Sequence, residues 1–133
     1  MANTNKDNKI IYPELSYKIV GAAFEVYNNL GYGLREDYYQ KAFAQELTNM
    51  NLTHEREKVI DMSYKGSKVG KHRLDFIVGN KIVVELKTRH ALGYPYIKQV
   101  TSYLKSGGYK LAIILYFTKD GVKHRRVLNS KLE

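Results

Sequence analysis

The chain has 133 residues, 44% of them hydrophobic, which suits one globular domain built around one core. It has no cysteine, so a disulfide framework is excluded and a structural zinc site disfavoured, and no run approaches the roughly 18 apolar residues of a membrane span. Its net charge of +9 is unevenly placed: residues 1–55 carry 5 Lys/Arg against 7 Asp/Glu, and the remaining 78 carry 17 against 6.

Residues 1–9 are polar rather than signal-like and read as a flexible tail, leaving residues 10–133 as a single domain with a cytoplasmic location expected. Leu15, Ile19, Ala22, Ala23 and Val26 recur at helical spacing, with Pro13 where a first turn tolerates it, and predict a helix over Glu14 to Asn29 closed by Gly31. A second helix, Leu34 to Met50, follows the Gly31-Tyr32-Gly33 turn with Tyr38, Ala42, Phe43 and Leu47 on its apolar face. Alternation from Glu55 to Tyr64, then turn residues at Lys65 to Lys68, predicts a hairpin that leads into strands Lys71 to Val78 and Lys81 to Thr88, joined at Gly79-Asn80. Tyr96 to Ser106 is a third helix, ended by Gly107-Gly108. Leu111 to Phe117 reads as a strand covered on both faces, and Lys119-Asp120-Gly121 turns it into Val122 to Leu128. The predicted order is ααβββαββ.

Side chains alone set the register of the hairpin at Gly79-Asn80, because cross-strand partners share a face. If paired positions sum to 160, Leu74, Phe76 and Val78 oppose Leu86, Val84 and Ile82 on one apolar face. The other face then sets Asp75 across from Glu85, with Lys87 beside Arg73 farther along. A sum of 159 mixes charged and apolar residues on both faces. Two carboxylates brought together among Ile82, Val83, Val84 and Leu86 resist ionisation unless a cation stands between them, and Mg²⁺ or Mn²⁺ suits an oxygen donor set with room for phosphate. The alternative is a solvated strand edge carrying a surface ion pair.

Gln99 and Tyr103 stand at i, i+4 on the third helix, either turned toward the end of the Glu85 strand or forming an amphipathic edge. Glu36 is a further candidate carboxylate, with a first-turn acid favouring the helix dipole as the other reading. His54, His72, His90 and His124 do not spell a zinc motif. Tyr94, Tyr96 and Tyr109 either stack on bases or pack in the core. The basic half supplies candidate nucleic-acid contacts at Arg73, Arg89, Lys98, Lys123, Arg125 and Arg126, against a plain solvated surface.

Asp75, nine intervening residues, Glu85-Leu86-Lys87 and then Gln99-x-x-x-Tyr103 together resemble the PD-(D/E)XK nuclease superfamily, in particular its branch with a Gln-x-x-x-Tyr helix. Residues 21–47, from Gly-Ala-Ala-Phe-Glu-Val-Tyr through Gly33-Leu-Arg-Glu36-Asp-Tyr-Tyr39 to Glu46-Leu47, resemble the small bacterial GxxExxxY proteins of that superfamily. Here Leu74 stands in place of the motif's proline, and Tyr39 follows Glu36 by three residues, one short of the motif's literal spacing. The likeness spans roughly residues 14–128. It implies an α/β (α+β) fold with a restriction-endonuclease-like core, a mixed central sheet flanked by helices. It also implies metal ligation by Asp75, Glu85 and the Leu86 carbonyl, with Glu36 as a supporting acid. Lys87 then assists water activation, and Gln99 and Tyr103 complete the catalytic set.

The expected function is metal-dependent hydrolysis of nucleic-acid phosphodiesters, with DNA the favoured substrate and Mg²⁺ or Mn²⁺ the cofactor. The alternative is a catalytically silent nucleic-acid-binding module, or a nuclease subunit that depends on a partner, with the same fold. A homodimer across a helix face would be compatible with a resolvase-like or nicking role, and no membrane association is expected.

Overall fold

The computed structural model describes residues 11–88 and 94–129. The N-terminal tail and Arg89 fall outside them. Helix α1 (Pro13–Leu30) buries Ser16, Ile19, Ala22, Ala23 and Val26 along one stripe. It ends where Gly31 adopts φ 75 and returns its N–H to the Tyr27 carbonyl at 2.8 Å, a left-handed stop that glycine makes without steric cost. Helix α2 (Glu36–Asn49) opens on two acids, Glu36 and Asp37, which suit the positive end of its dipole, and buries Tyr39, Phe43 and Leu47 at i, i+4, i+8. Tyr39 pins the corner between the helices. Its hydroxyl donates to the Gly31 carbonyl at 2.6 Å and accepts the Leu34 N–H at 3.2 Å, while its ring stacks on Phe117 at 4.5 Å.

Strands β1 (His54–Tyr64), β2 (Ser67–Val78), β3 (Ile82–Lys87), β4 (Leu111–Thr118) and β5 (Gly121–Leu128) form one sheet in sequence order. Helix α3 (Tyr94–Gly107) carries the chain from β3 back to β4, so that one pair is parallel while the others are antiparallel. The predicted order and the mixed sheet are both found. Internal β4 is buried from end to end, as a strand covered on both faces must be. One core lies between the sheet and α1 with α2; it contains Phe43, Phe76, Val84, Leu86 and Phe117. The second lies under α3 and contains Val83, Val100, Tyr103, Leu104 and Ile114. No described helix is long and apolar enough to cross a membrane.

The β2–β3 turn has left-handed backbone at both Gly79 (φ 62) and Asn80 (φ 59), and the Lys81 N–H returns to the Val78 carbonyl at 3.1 Å. A Cβ added at Gly79 would stand 2.7 Å from Leu15 Cδ2, so the turn is clamped beneath α1. The pairs Phe76↔Val84, Ile77↔Val83 and Val78↔Ile82 realise the register in which positions sum to 160.

One residue departs from that reading. Leu74 does not share a face with Phe76 and Val78; it packs in the α3 core with Ile77 and Val83. The alternation changes phase between Leu74 and Phe76. On β1 the matching point is Glu57, whose φ of 53 breaks the strand's pleat, and neither Glu57 nor Asp75 is in the regular β1–β2 register.

Candidate active site

The phase change places Asp75 where β2 parts from β3. Regular pairing of the two strands stops at Phe76 and Val84. Beyond it, the carboxylates take over from the backbone carbonyls. The Asp75 N–H donates to Glu85 Oε2 at 2.8 Å, and the Leu86 N–H donates to Asp75 Oδ2 at 3.0 Å. Each acid thus accepts the partner strand's backbone N–H through a carboxyl oxygen.

The electrostatics of the pair follow from its position. Glu85 is only 2% exposed. Burial, and then the neighbouring Asp75 charge, push its carboxyl up to about 8, against weaker lowering by the Asp75 N–H and Lys87, while Glu36 raises it further. Burial also raises Asp75, opposed by the Leu86 N–H, Lys87 and Arg56, with Glu57 adding to the rise. The nearby cations do not offset the cost of ionising both acids in so dry a place. A bound cation would supply the missing charge. Among the described residues no three His, Cys, Asp or Glu side chains gather into a metal-holding group. The two carboxylates would be the cation's candidate donors, a set that suits a hard ion retaining several waters.

Lys87 follows on the same strand, half-buried, with Nζ 4.7 Å from the centre of the Tyr96 ring. Tyr103 is 6% exposed, and burial together with the charges of Glu85 and Asp75 pushes its hydroxyl up to about 12, so it stays a protonated donor at neutral pH. Its ring lies 4.7 Å from that of His72, whose Nε2 is 3.2 Å from Ser102 Oγ. Glu36 acts on Glu85 through its charge from the start of α2, beside Gln40 at 3.5 Å.

Of the residues singled out in the sequence, Asp75, Glu85, Lys87 and Tyr103 come together, with Glu36 at the margin. Gln99 is exposed on α3, one turn before Tyr103. Arg89 lies outside the described residues. Arg73 is exposed and meets Glu57 at 3.7 Å; Lys98, Lys123 and Arg125 are exposed. Arg126 does not join the exposed cations of β5. Its guanidinium turns to the opposite face and donates to Ser16 Oγ at 2.7 Å and to the Ile11 carbonyl at 3.0 Å, tying the start of α1 to the sheet. Both contacts are too distant in sequence for local patterning to anticipate.

Two neighbours of the site were not linked to it, Tyr96 having been read only as a base-stacking or core residue. Tyr96 precedes Tyr103 by seven residues, a heptad spacing that puts both on one helix face and marks it as a partner for Lys87. Glu57 stands across from Asp75, a position visible only once β1 and β2 are paired.

A family model described as the PD-(D/E)XK nuclease superfamily matches residues 13–127. Among solved structures, the crystal structure of SSO0001 superposes with a TM-score of 0.56 at 26% identity, over 69% of this chain and 48% of the other. The alkaline exonuclease LHK-Exo from Laribacter hongkongensis superposes with a TM-score of 0.51 at 15% identity, over 69% of this chain and 55% of the other; at that identity the likeness is one of fold. The match thus spans about half the length of each of these structures. No curated protein matches.

Proposed function

This chain belongs to the PD-(D/E)XK nuclease superfamily, and from that footing we propose that it is a Mg²⁺- or Mn²⁺-dependent nuclease acting on DNA. The observation that carries the reading is the reciprocal hold of Asp75 and Glu85 on each other's strands, which fixes a buried and a half-buried carboxylate side by side with too little counter-charge from Lys87 and Arg56. Structural acids in a sheet interior are expected to be paired or absent. An unbalanced pair suits a group whose partner arrives from solution.

The donors fit a hard divalent ion: Asp75 and Glu85 would hold it, with the Leu86 carbonyl assisting. When bound, the ion supplies Lewis-acid stabilisation of the charge that develops on the scissile phosphate. The protein's own part is placement. Asp75 and Glu85 are immobilised by the backbone N–H groups that they accept. The Lys87 ammonium, steadied against Tyr96, lies where it can orient a water or meet a phosphate oxygen, and the protonated Tyr103 hydroxyl can donate toward the same space. The buried flank formed by Val83, Leu86 and Ile114 limits water at the acids.

Purified protein supplied with Mg²⁺ or Mn²⁺ should cleave DNA, and EDTA, Asp75→Ala or Glu85→Ala should each abolish the cleavage. RNA provides the comparison substrate. Cleavage that persists in both acid variants would overturn the assignment.

A further inference from the structure

Strands β1 and β2 continue far beyond the sheet. β2 leaves β3 after Phe76, yet β1 and β2 stay paired out to Tyr64 and Ser67. Residues 57–74 therefore form a two-stranded ribbon, closed by a tight turn with left-handed backbone at Lys65 (φ 48) and Gly66 (φ 86). One face of this ribbon is occupied. Ile60 and Leu74 pack in the α3 core, and His72 meets Ser102.

The other face carries Val59, Asp61, Lys71 and Arg73, with Lys68 reaching across to Asp61 at 3.3 Å. Val59 is 52% exposed, and Val69 and Tyr64, toward the tip, are 58% and 62% exposed. The ribbon holds five Lys/Arg against two Asp/Glu over residues 57–74. The ion pairs on this open face, Arg73–Glu57 and Lys68–Asp61, are both exposed, and such pairs contribute little, so either cation can exchange its carboxylate for a phosphate at small cost.

We propose that this open face is a track for the nucleic-acid backbone running out from the carboxylate pair, with Lys71 and Lys68 as its phosphate contacts. The inference rests on the nuclease reading above and adds a binding surface to it. Three features favour nucleic acid as the occupant. The track begins beside the site, since Lys71 and Arg73 alternate along β2 up to the irregularity at Asp75. Its net charge is positive, with Lys71 and the tip Lys65 beyond the two balanced pairs, which suits a polyanion and disfavours a second copy of the same ribbon. A two-stranded ribbon also has the width of a groove reader, and Tyr64 at its tip, with the Lys65 ammonium 5.4 Å from its ring, has the makeup of a base-stacking platform.

The test is equilibrium binding of the full chain in EDTA, where nothing is cut, to a fluorescein-labelled oligothymidine and to a duplex of equal length. Replacing Lys68→Ala and Lys71→Ala together should weaken binding about tenfold. It should also reduce the slope of log K against log salt by about 1.4 on the single strand or about 1.8 on the duplex. Lys68→Arg with Lys71→Arg should restore both. Because these side chains are exposed, an unchanged melting temperature will show that the variants are folded. Wild-type affinity and slope in the alanine variant, alongside normal Mg²⁺-dependent cleavage by wild type, would overturn the track and leave the nuclease reading standing. Sedimentation of the chain as a dimer that Val59→Lys dissociates would overturn it in favour of a self-association surface. Failure of wild type to bind either probe or to cleave would overturn both.

Discussion

Asp75 and Glu85 exchange contacts across the parting of β2 and β3: each carboxylate accepts a backbone N–H from the strand that bears the other. The acids are thus structural as well as chemical. Asp75→Ala leaves the half-buried Leu86 N–H without its acceptor, so it should lower stability by about 1–3 kcal/mol. Asp75→Asn and Glu85→Gln keep an oxygen for the N–H and should leave the melting temperature within a few degrees of wild type. Both should nevertheless lose at least about 100-fold in metal affinity, measured by calorimetry.

The raised Glu85 carboxyl gives the metal-free protein a distinct pH profile. The folded state holds this proton up to about 8, whereas the unfolded chain releases it near the ordinary value of 4.5. Between those values the native state binds more protons, so stability contributed by this group is full below 4.5 and is lost as pH rises toward 8. Thermal melts in EDTA should show that decline, and Glu85→Gln should flatten it. Saturating Mg²⁺ should reverse the trend, because the ion favours the ionised form.

The Lys87 ammonium over Tyr96 predicts that the ring, not its hydroxyl, is what matters. Tyr96→Leu should lower kcat about two- to fivefold, the kinetic equivalent of about 0.5–1 kcal/mol, with KM unchanged, while Tyr96→Phe should behave as wild type. Equal losses in both variants would show that the hydroxyl carries the effect.

Arg126 ties α1 to the sheet through Ser16 and the Ile11 carbonyl. Arg126→Ala should therefore cost about 1–3 kcal/mol in urea unfolding and leave nucleic-acid affinity unchanged. A marked loss of affinity with full stability would return this residue to the binding surface.

Tyr116 sits on β4 level with Lys87, 1% exposed, and among the described residues its hydroxyl is buried without a hydrogen-bond partner. Tyr116→Phe should raise stability by about 1 kcal/mol, read as a higher urea midpoint at unchanged m.

The part of the site that was legible in the sequence is the part fixed by local alternation. Phe76, Val78, Ile82 and Val84 set one register of a short hairpin, and Asp75 opposite Glu85 follows from it. Leu74 was misread because its face depends on Glu57, a residue on another strand whose left-handed backbone shifts the pleat. Arg126 was misread for a similar reason: alternation puts it on the opposite face of β5 from Lys123 and Arg125, but says nothing of the α1 residues that cover that face. Tyr103 and Lys87 were found by spacing along one element. Tyr96 was read only as a base-stacking or core residue, because its partner Lys87 lies on β3, across a segment of chain that carries no pattern.

The gap in the β2–β3 ladder has a spectroscopic consequence. Amide protons bonded to side-chain carboxyls resonate apart from those bonded to ladder carbonyls, and their shifts move when the carboxyl's charge changes or is drawn elsewhere. The amides of Asp75 and Leu86 are therefore built-in reporters: two backbone signals, inside the site yet outside the chemistry, whose displacement on titrating Mg²⁺ would record occupancy without any substrate present.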